Sequence, residues 1–152
     1  MIGNKLPLDY ELGEQNGSEL EWLEEQIRGA KSLLEIGSRY GHTLKRLARS
    51  CAPGAVIRSI DLGKDISGSA KFGAVETKSH LAAVIADLCK AGFDAAELIA
   101  DSKDAAAIAW AESNAPYDFI FIDGDHSYES VQLEADWVLN LKPGGIIAGH
   151  DY

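Results

Sequence analysis

The stretch from Tyr117 to Ile122 narrows the possible folds most. Phe119, Ile120, Phe121 and Ile122 form an unbroken apolar run. Such a run suits a central strand of a parallel sheet, covered by helices on both faces. It ends abruptly in polar chemistry: Asp123, Gly124, Asp125, His126, Ser127 and Tyr128. A buried strand that opens into polar side chains marks the ligand end of such a sheet.

The rest of the chain repeats strand and helix around that run. Residues 1–16 have no period and read as an N-terminal arm. Leu20, Leu23 and Ile27 line one face of a helix that begins near Ser18 and ends at Gly29. On that helix Glu19 and Trp22 read as solvation and packing. Leu33, Leu34 and Ile36 then give a strand over 32–36, Gly37 and Gly41 bracket a tight loop, and a helix over 41–49 turns Leu44, Leu47 and Ala48 inward. Pro53 and Gly54 make a turn into a strand over 55–60 that ends at Asp61. Residues 62–73 hold three glycines and two serines and read as a flexible loop. Leu81, Val84, Ile85 and Leu88 form a helical stripe closed by Gly92. A short strand over 95–100 leads to Asp101 and Ser102, either of which can cap the next helix. That helix carries Ala105, Ala106, Ile108 and Ala109 and stops at Pro116. After the polar cluster, Val131, Ala135, Val138 and Leu139 share a helical face. Pro143 and Gly144 turn the chain into a last strand over 145–149, which ends at His150, Asp151 and Tyr152.

This alternation predicts an α/β chain: a Rossmann-like three-layer sandwich with a parallel sheet in the order 3-2-1-4-5 and right-handed crossovers. The ligand crevice is expected between the ends of strands 1 and 4, where the strand order reverses. With 152 residues, 46% of them hydrophobic, the chain has enough for one domain with one core. Its 24 acidic residues outweigh 14 basic ones, a net charge of -10, which argues against a nucleic-acid partner held by phosphates. A signal segment and an apolar run of membrane-spanning length are both missing, so a cytoplasmic protein without a membrane partner is expected. Cys51 and Cys89 lack the spacing of a metal site and read as small apolar residues.

The loop after the first strand selects among nucleotide ligands. Its glycines let the backbone approach a ligand closely. A dinucleotide loop carries a middle glycine that faces a pyrophosphate, and Gly37-Ser38-Arg39-Tyr40-Gly41 lacks it. Glu35, just before the loop, would repel a pyrophosphate and suit a cationic group. Asp61 can accept hydrogen bonds from both hydroxyls of a ribose, or it can cap a turn. The reading favours a nucleoside joined to an amino acid over a nicotinamide dinucleotide. A nicotinamide-dependent oxidoreductase is the alternative.

EIGSRYGHT at 35–43, Asp61, the Asp101–Ser102 pair, FIDGDHSYE at 121–129 and LKPGGIIAGHD at 141–151 occur in this order. On these motifs the chain resembles the class I S-adenosylmethionine-dependent methyltransferases. Within them it is most similar to the small-molecule branch of sugar and macrolide O-methyltransferases and cephalosporin hydroxylase-like proteins. The resemblance covers about 33–151. It implies an enzyme that methylates a hydroxyl of a small molecule such as a sugar or natural product. It also implies that Glu35, Gly37 and Gly41 surround the methionyl part of S-adenosylmethionine, with Ser38, Arg39 and Tyr40 in the turn beneath. Asp61 would hold the ribose, Asp101 and Ser102 would lie at the adenine, and Asp123 would sit between cofactor and substrate. The family's sheet adds a C-terminal antiparallel hairpin that this sequence lacks. A shortened cofactor-binding domain without turnover is therefore a further reading, and a homo-oligomer is compatible with it.

Methyl transfer from a sulfonium needs alignment and, for a hydroxyl acceptor, a base. His126 is the first candidate base and His150 the second, since an imidazole titrates near neutral pH. Asp123, His150 and Asp151 sit at the ends of strands expected to be neighbours. They can converge on a divalent ion such as Mg²⁺, which would orient a substrate hydroxyl and make it more acidic.

Overall fold

A computed structural model of the chain describes residues 17–65, 75–124, 127, 128, 132 and 135–150. In chain order the elements are α1 (Gly17–Gln26), β1 (Ser32–Ile36), α2 (His42–Ser50), β2 (Val56–Asp61), β3 (Lys64–Asp65) and β4 (Val75–Glu76). There follow α3 (Lys78–Lys90), β5 (Asp94–Ile99), α4 (Ala105–Ser113), β6 (Tyr117–Ile122), a 3-10 helix (Ala135–Asn140) and β7 (Leu141–Gly149). Five strands form one sheet in the order β5-β2-β1-β6-β7. All four of its pairings are parallel. Leaving aside the short β3–β4 pair, this is the expected order 3-2-1-4-5. The order reverses at β1, so the crevice of an open α/β sheet opens between β1 and β6.

Alternation along the strands sorts the core into two layers. Leu33, Ile57, Phe119 and Phe121 pack with Leu23 of α1 and Ile27 just after it, Leu44 and Leu47 of α2, and Leu81 and Leu88 of α3. On the other face Leu34, Ile36, Ile60, Ile120 and Ile122 pack with Ala107 and Ala111 of α4 and with Trp137. Strand β1 is buried along its whole length, as a central strand covered on both sides must be.

Helix α1 is anchored at several points. Leu20, Leu23 and Ile27 are buried. Glu24 accepts two hydrogen bonds from Arg46 of α2, both 2.8 Å, and the Gly29 N–H donates to the Ser50 carbonyl at 2.8 Å.

Several local expectations are corrected. Lys64 and Asp65, within the segment expected as loop, pair antiparallel with Val75 and Glu76 just beyond it; residues 66–74 lie outside the described set. Helix α4 buries Ala107 and Ala111, while Ile108 is exposed. Its cap position is Asp104, and neither Asp101 nor Ser102 occupies it. Trp137 of the 3-10 helix is buried, with Val138 and Leu139 exposed; Val131 lies outside the described residues. Strand β7 starts at Leu141, earlier than expected. Tyr117 pairs with Leu141 and Phe119 with Ile146, so Lys142 to Gly145 bulge out of register.

Candidate active site

Each strand of the crevice extends its ladder by one residue, and this brings four polar chain segments together. Gly37 N–H donates to the Ile60 carbonyl at 2.9 Å, Asp123 N–H to Ile36 at 2.8 Å, and His150 N–H to Ile122 at 3.0 Å. The loop after β1 touches the exit of β6 directly. A Cβ at Gly37, where φ is 85°, would collide with the Asp123 carbonyl and lie 2.8 Å from Gly124 Cα. Only glycine fits there. Gly41 N–H closes the loop onto the Ser38 carbonyl at 2.7 Å, and a Cβ there would press on Val84 of α3 at 3.1 Å.

Asp61 ties two turns together. Its Oδ2 accepts the Arg39 N–H and its Oδ1 the Gly63 N–H, both at 2.7 Å. The Arg39 backbone is held left-handed there, with φ 52°. Two charge-assisted bonds hold the carboxylate in the turn. The turn-holding role is therefore observed, and it leaves the ribose role open.

Glu35 lies buried under the same loop. The Ser38 hydroxyl donates to its Oε2 at 2.8 Å, and the Ser59 hydroxyl lies 2.7 Å from that of Ser38. Burial pushes the Glu35 carboxyl up to about 8; the Ser38 bond opposes this, and the charges of Asp123 and Asp61 add to it. The sequence reading treated Glu35 as a charge. In the fold that charge is suppressed near neutral pH, and a cation in the crevice would favour it again.

Arg39, Tyr40 and His42 form the outer side of the loop. The Arg39 guanidinium lies 5.3 Å from the centre of the Tyr40 ring. Tyr40 meets His80 edge-on at 5.5 Å and lies 6.1 Å from His42. Asp101 and Ser102 follow β5, beside the Asp61 turn, where Ala100 N–H donates to the Asp61 carbonyl at 2.9 Å. Asp101 Oδ1 accepts the Lys103 N–H at 2.9 Å.

At the ends of β6 and β7 the structure brings Asp123 and His150 together, with Oδ1 and Nδ1 3.2 Å apart. The other ring nitrogen, Nε2, faces Glu19 of α1 at 3.6 Å. Sequence reasoning missed Glu19. The helical period places it beside Leu20, and only the packing of α1 over the sheet carries it to His150. Asp125, His126 and Asp151 lie outside the described residues. Among the described residues, no group of three His, Cys, Asp or Glu side chains is arranged to hold a metal ion. Nor, among them, is any helix long and apolar enough to cross a membrane.

Among curated proteins none matches this chain. Solved structures match its fold. The O-methyltransferase TomG of Streptomyces achromogenes, involved in tomaymycin synthesis and solved with S-adenosylmethionine, is 19% identical with a TM-score of 0.62; the match covers 89% of this chain and 56% of that one. An O-methyltransferase of Bacillus cereus, solved with S-adenosylhomocysteine, is 23% identical at a TM-score of 0.61, over 90% of this chain and 57% of that one. A methyltransferase of Geobacter sulfurreducens is 13% identical at 0.61, over 89% and 60%. The chain thus spans less than two thirds of the length of each. A family model described as a methyltransferase domain matches residues 34–152. That match starts in β1, takes in the glycine loop, Asp61 and the Asp123–His150 pair, and shows that the chain belongs to the methyltransferase-domain family.

Proposed function

We propose that the chain binds S-adenosylmethionine and transfers its methyl group to a hydroxyl oxygen of a small molecule such as a sugar or natural product. The observation that carries this reading is the acidic crevice around the Gly37–Gly41 loop. Asp61 is held there by two backbone amides, and Glu35 feels both Asp61 and Asp123. Such a lining suits a ribose joined to a cationic sulfonium and disfavours the pyrophosphate of a nicotinamide dinucleotide. Two matched structures, named as O-methyltransferases and solved with S-adenosylmethionine or S-adenosylhomocysteine, support the same choice. The reading includes a cytoplasmic location.

In this reading Gly37 to Gly41 cradle the methionyl part, Asp61 takes the ribose hydroxyls, and Asp101 and Ser102 border the adenine. S-adenosylmethionine supplies an activated methyl group, so the protein's task is to align an acceptor and take its proton. Asp123 and His150 supply a carboxylate–imidazole pair at the mouth of the crevice. In this reading the His150 imidazole, within ion-pair range of Asp123 and of Glu19, takes the hydroxyl proton. His126, from the same polar run, is the second candidate base. We do not assign Mg²⁺ to the pair. An imidazole is a poor ligand for that hard, oxygen-preferring ion, and with Asp151 it would suit a transition ion better.

Calorimetry with S-adenosylhomocysteine and with NAD tests the cofactor; heat with NAD alone would overturn the reading. Methyl transfer to a library of hydroxylated acceptors, with and without chelator, tests the reaction. His150→Ala and His126→Ala are compared in the same assay. Loss of the true base should slow transfer by about 10²–10⁴-fold. Full activity in both variants would leave catalysis to alignment alone. Cofactor binding without turnover on any acceptor would favour the shortened binding-domain reading. Sedimentation of the purified chain reports whether it forms a homo-oligomer.

A further inference from the structure

We infer that Glu35 is a specificity-determining residue of this site: its buried carboxyl gives up a proton when a sulfonium ligand enters the crevice and regains one when that ligand becomes a neutral thioether. S-adenosylmethionine is thereby told from S-adenosylhomocysteine by charge. The inference rests on the reading of the crevice as an S-adenosylmethionine site. Two observations carry it, and the chemistry of the two ligands completes it.

The first is placement. Glu35 lies in β1, at the point where the strand order reverses, opposite Ser59 of β2 and Phe121 of β6. It is 1% exposed. Two residues on, the backbone at Gly37 passes so close to β6 that a Cβ would meet the Asp123 carbonyl. A ligand held by the Gly37–Gly41 loop therefore has this carboxyl beneath it.

The second is the set of groups around it. Ser38 donates to Oε2 at 2.8 Å, and the Ser59 hydroxyl lies 2.7 Å from that of Ser38. The charged groups that act on Glu35, Asp123 and Asp61, are both carboxylates. Basic side chains of the neighbouring elements are directed elsewhere. The Arg39 guanidinium lies over the Tyr40 ring, which meets His42 and His80 on the outer side of the loop. Arg58 of β2 pairs with Asp94, and His150 stands at Asp123. A third negative charge in this company is unfavourable until a cation arrives. Burial first, and the two carboxylates after it, keep the Glu35 proton on up to about 8.

The two ligands differ in the charge that matters. Both carry an amino group and a carboxylate, and S-adenosylmethionine alone adds a fixed positive charge on sulfur. That charge favours an ionised Glu35, and its loss on methyl transfer withdraws the support.

The protons balance. On binding, the Glu35 O–H bond breaks and its proton goes to solvent. On transfer, the carbon–sulfur bond breaks as the acceptor oxygen gains the methyl, and the acceptor's own proton leaves separately. Glu35 then takes a proton back from solvent, so a full turnover releases one. The linkage has a definite sign. Ligand binding that lowers a raised carboxyl strengthens as pH rises and levels off above the raised value, about 8. S-adenosylmethionine follows that curve. S-adenosylhomocysteine, without the sulfonium, does not draw on Glu35.

The experiment is titration calorimetry on the whole chain, with chelator present, at about pH 7, where an ordinary carboxyl is already ionised. S-adenosylmethionine is titrated in phosphate and in Tris, which take up a proton with very different heats. In the parent the two heats should differ by the amount for about one released proton, and with S-adenosylhomocysteine they should nearly agree. Glu35→Gln should abolish the difference, which separates Glu35 from the ligand's amino group and from His150. From about pH 6 to pH 8 the parent's preference for S-adenosylmethionine over S-adenosylhomocysteine should grow by up to tenfold per unit more than that of Glu35→Gln. An infrared difference spectrum of the parent, with and without S-adenosylmethionine, needs no variant: a carboxylic-acid C=O band should vanish on binding. Equal heats in the two buffers for the parent overturn the inference and leave the cofactor reading standing. So does a buffer difference that survives in Glu35→Gln, or an infrared band that persists. If neither ligand binds, the proposed function falls, and the inference falls with it.

Discussion

Glu35 holds a proton in the folded chain that it would release when unfolded. Burial is the main cause and lifts its carboxyl from 4.5 to about 8. Between those values the native state binds more protons than the unfolded one, so this group lowers stability as pH rises, and its effect levels off above about 8. Glu35→Gln keeps the shape and an acceptor for Ser38. It should flatten that slope, so the variant gains on the parent between pH 5 and pH 9 in urea unfolding; parallel profiles would count against it. Asp61→Ala removes the acceptor of two loop amides and should weaken S-adenosylmethionine binding by about 1.5–3 kcal/mol in calorimetry, with a smaller loss for Asp61→Asn. Unchanged affinity would leave Asp61 as a turn cap only. Thr77 is a separate case: its hydroxyl is buried and has no hydrogen-bond partner among the described residues. Thr77→Val should raise stability by about 1 kcal/mol, since an unpaired buried hydroxyl is lost without a change of shape. At this scale Gly37 and Asp61 were legible in the sequence, because a tight turn and a strand-end carboxylate announce themselves by residue type. The suppressed charge of Glu35 was not, since it depends on what surrounds the side chain.

Helices are the elements that aim the site. Leu23 of α1 is 2% exposed and packs in the core layer that includes Phe119 and Phe121. Leu23→Ala should cost about 2–5 kcal/mol in denaturant unfolding. Strands β1 and β6 could be read directly, since an apolar run between turn residues leaves few alternatives. Helix α4 could be located but its face could not: a run of alanines carries no stripe, and the sheet chose Ala107 and Ala111. Pro143 and Gly144 read as a turn before the last strand. In the fold they form a bulge inside it, because pairing resumes on both sides. Glu19 lay beyond the reach of periodicity, which tells which side of a helix is buried and not what waits beside its flank.

For the whole molecule, a net charge of -10 should bias the choice of acceptor. Between two otherwise similar acceptors, the one bearing a carboxylate should react with lower kcat/KM than the neutral one. The gap should narrow as salt shortens the screening length from about 10 Å at 0.1 M to about 3 Å at 1 M. A gap that does not respond to salt would assign the choice to local fit. Glu19 and His150 stand near opposite ends of the described chain, in its first helix and just after its last strand. The ribosome makes the nucleoside crevice, from Glu35 to Gly124, before it makes His150. In the proposed reading, the groups that hold the cofactor are thus made before the imidazole beside Asp123, and the two parts of the site are separated along the chain although they meet in the fold.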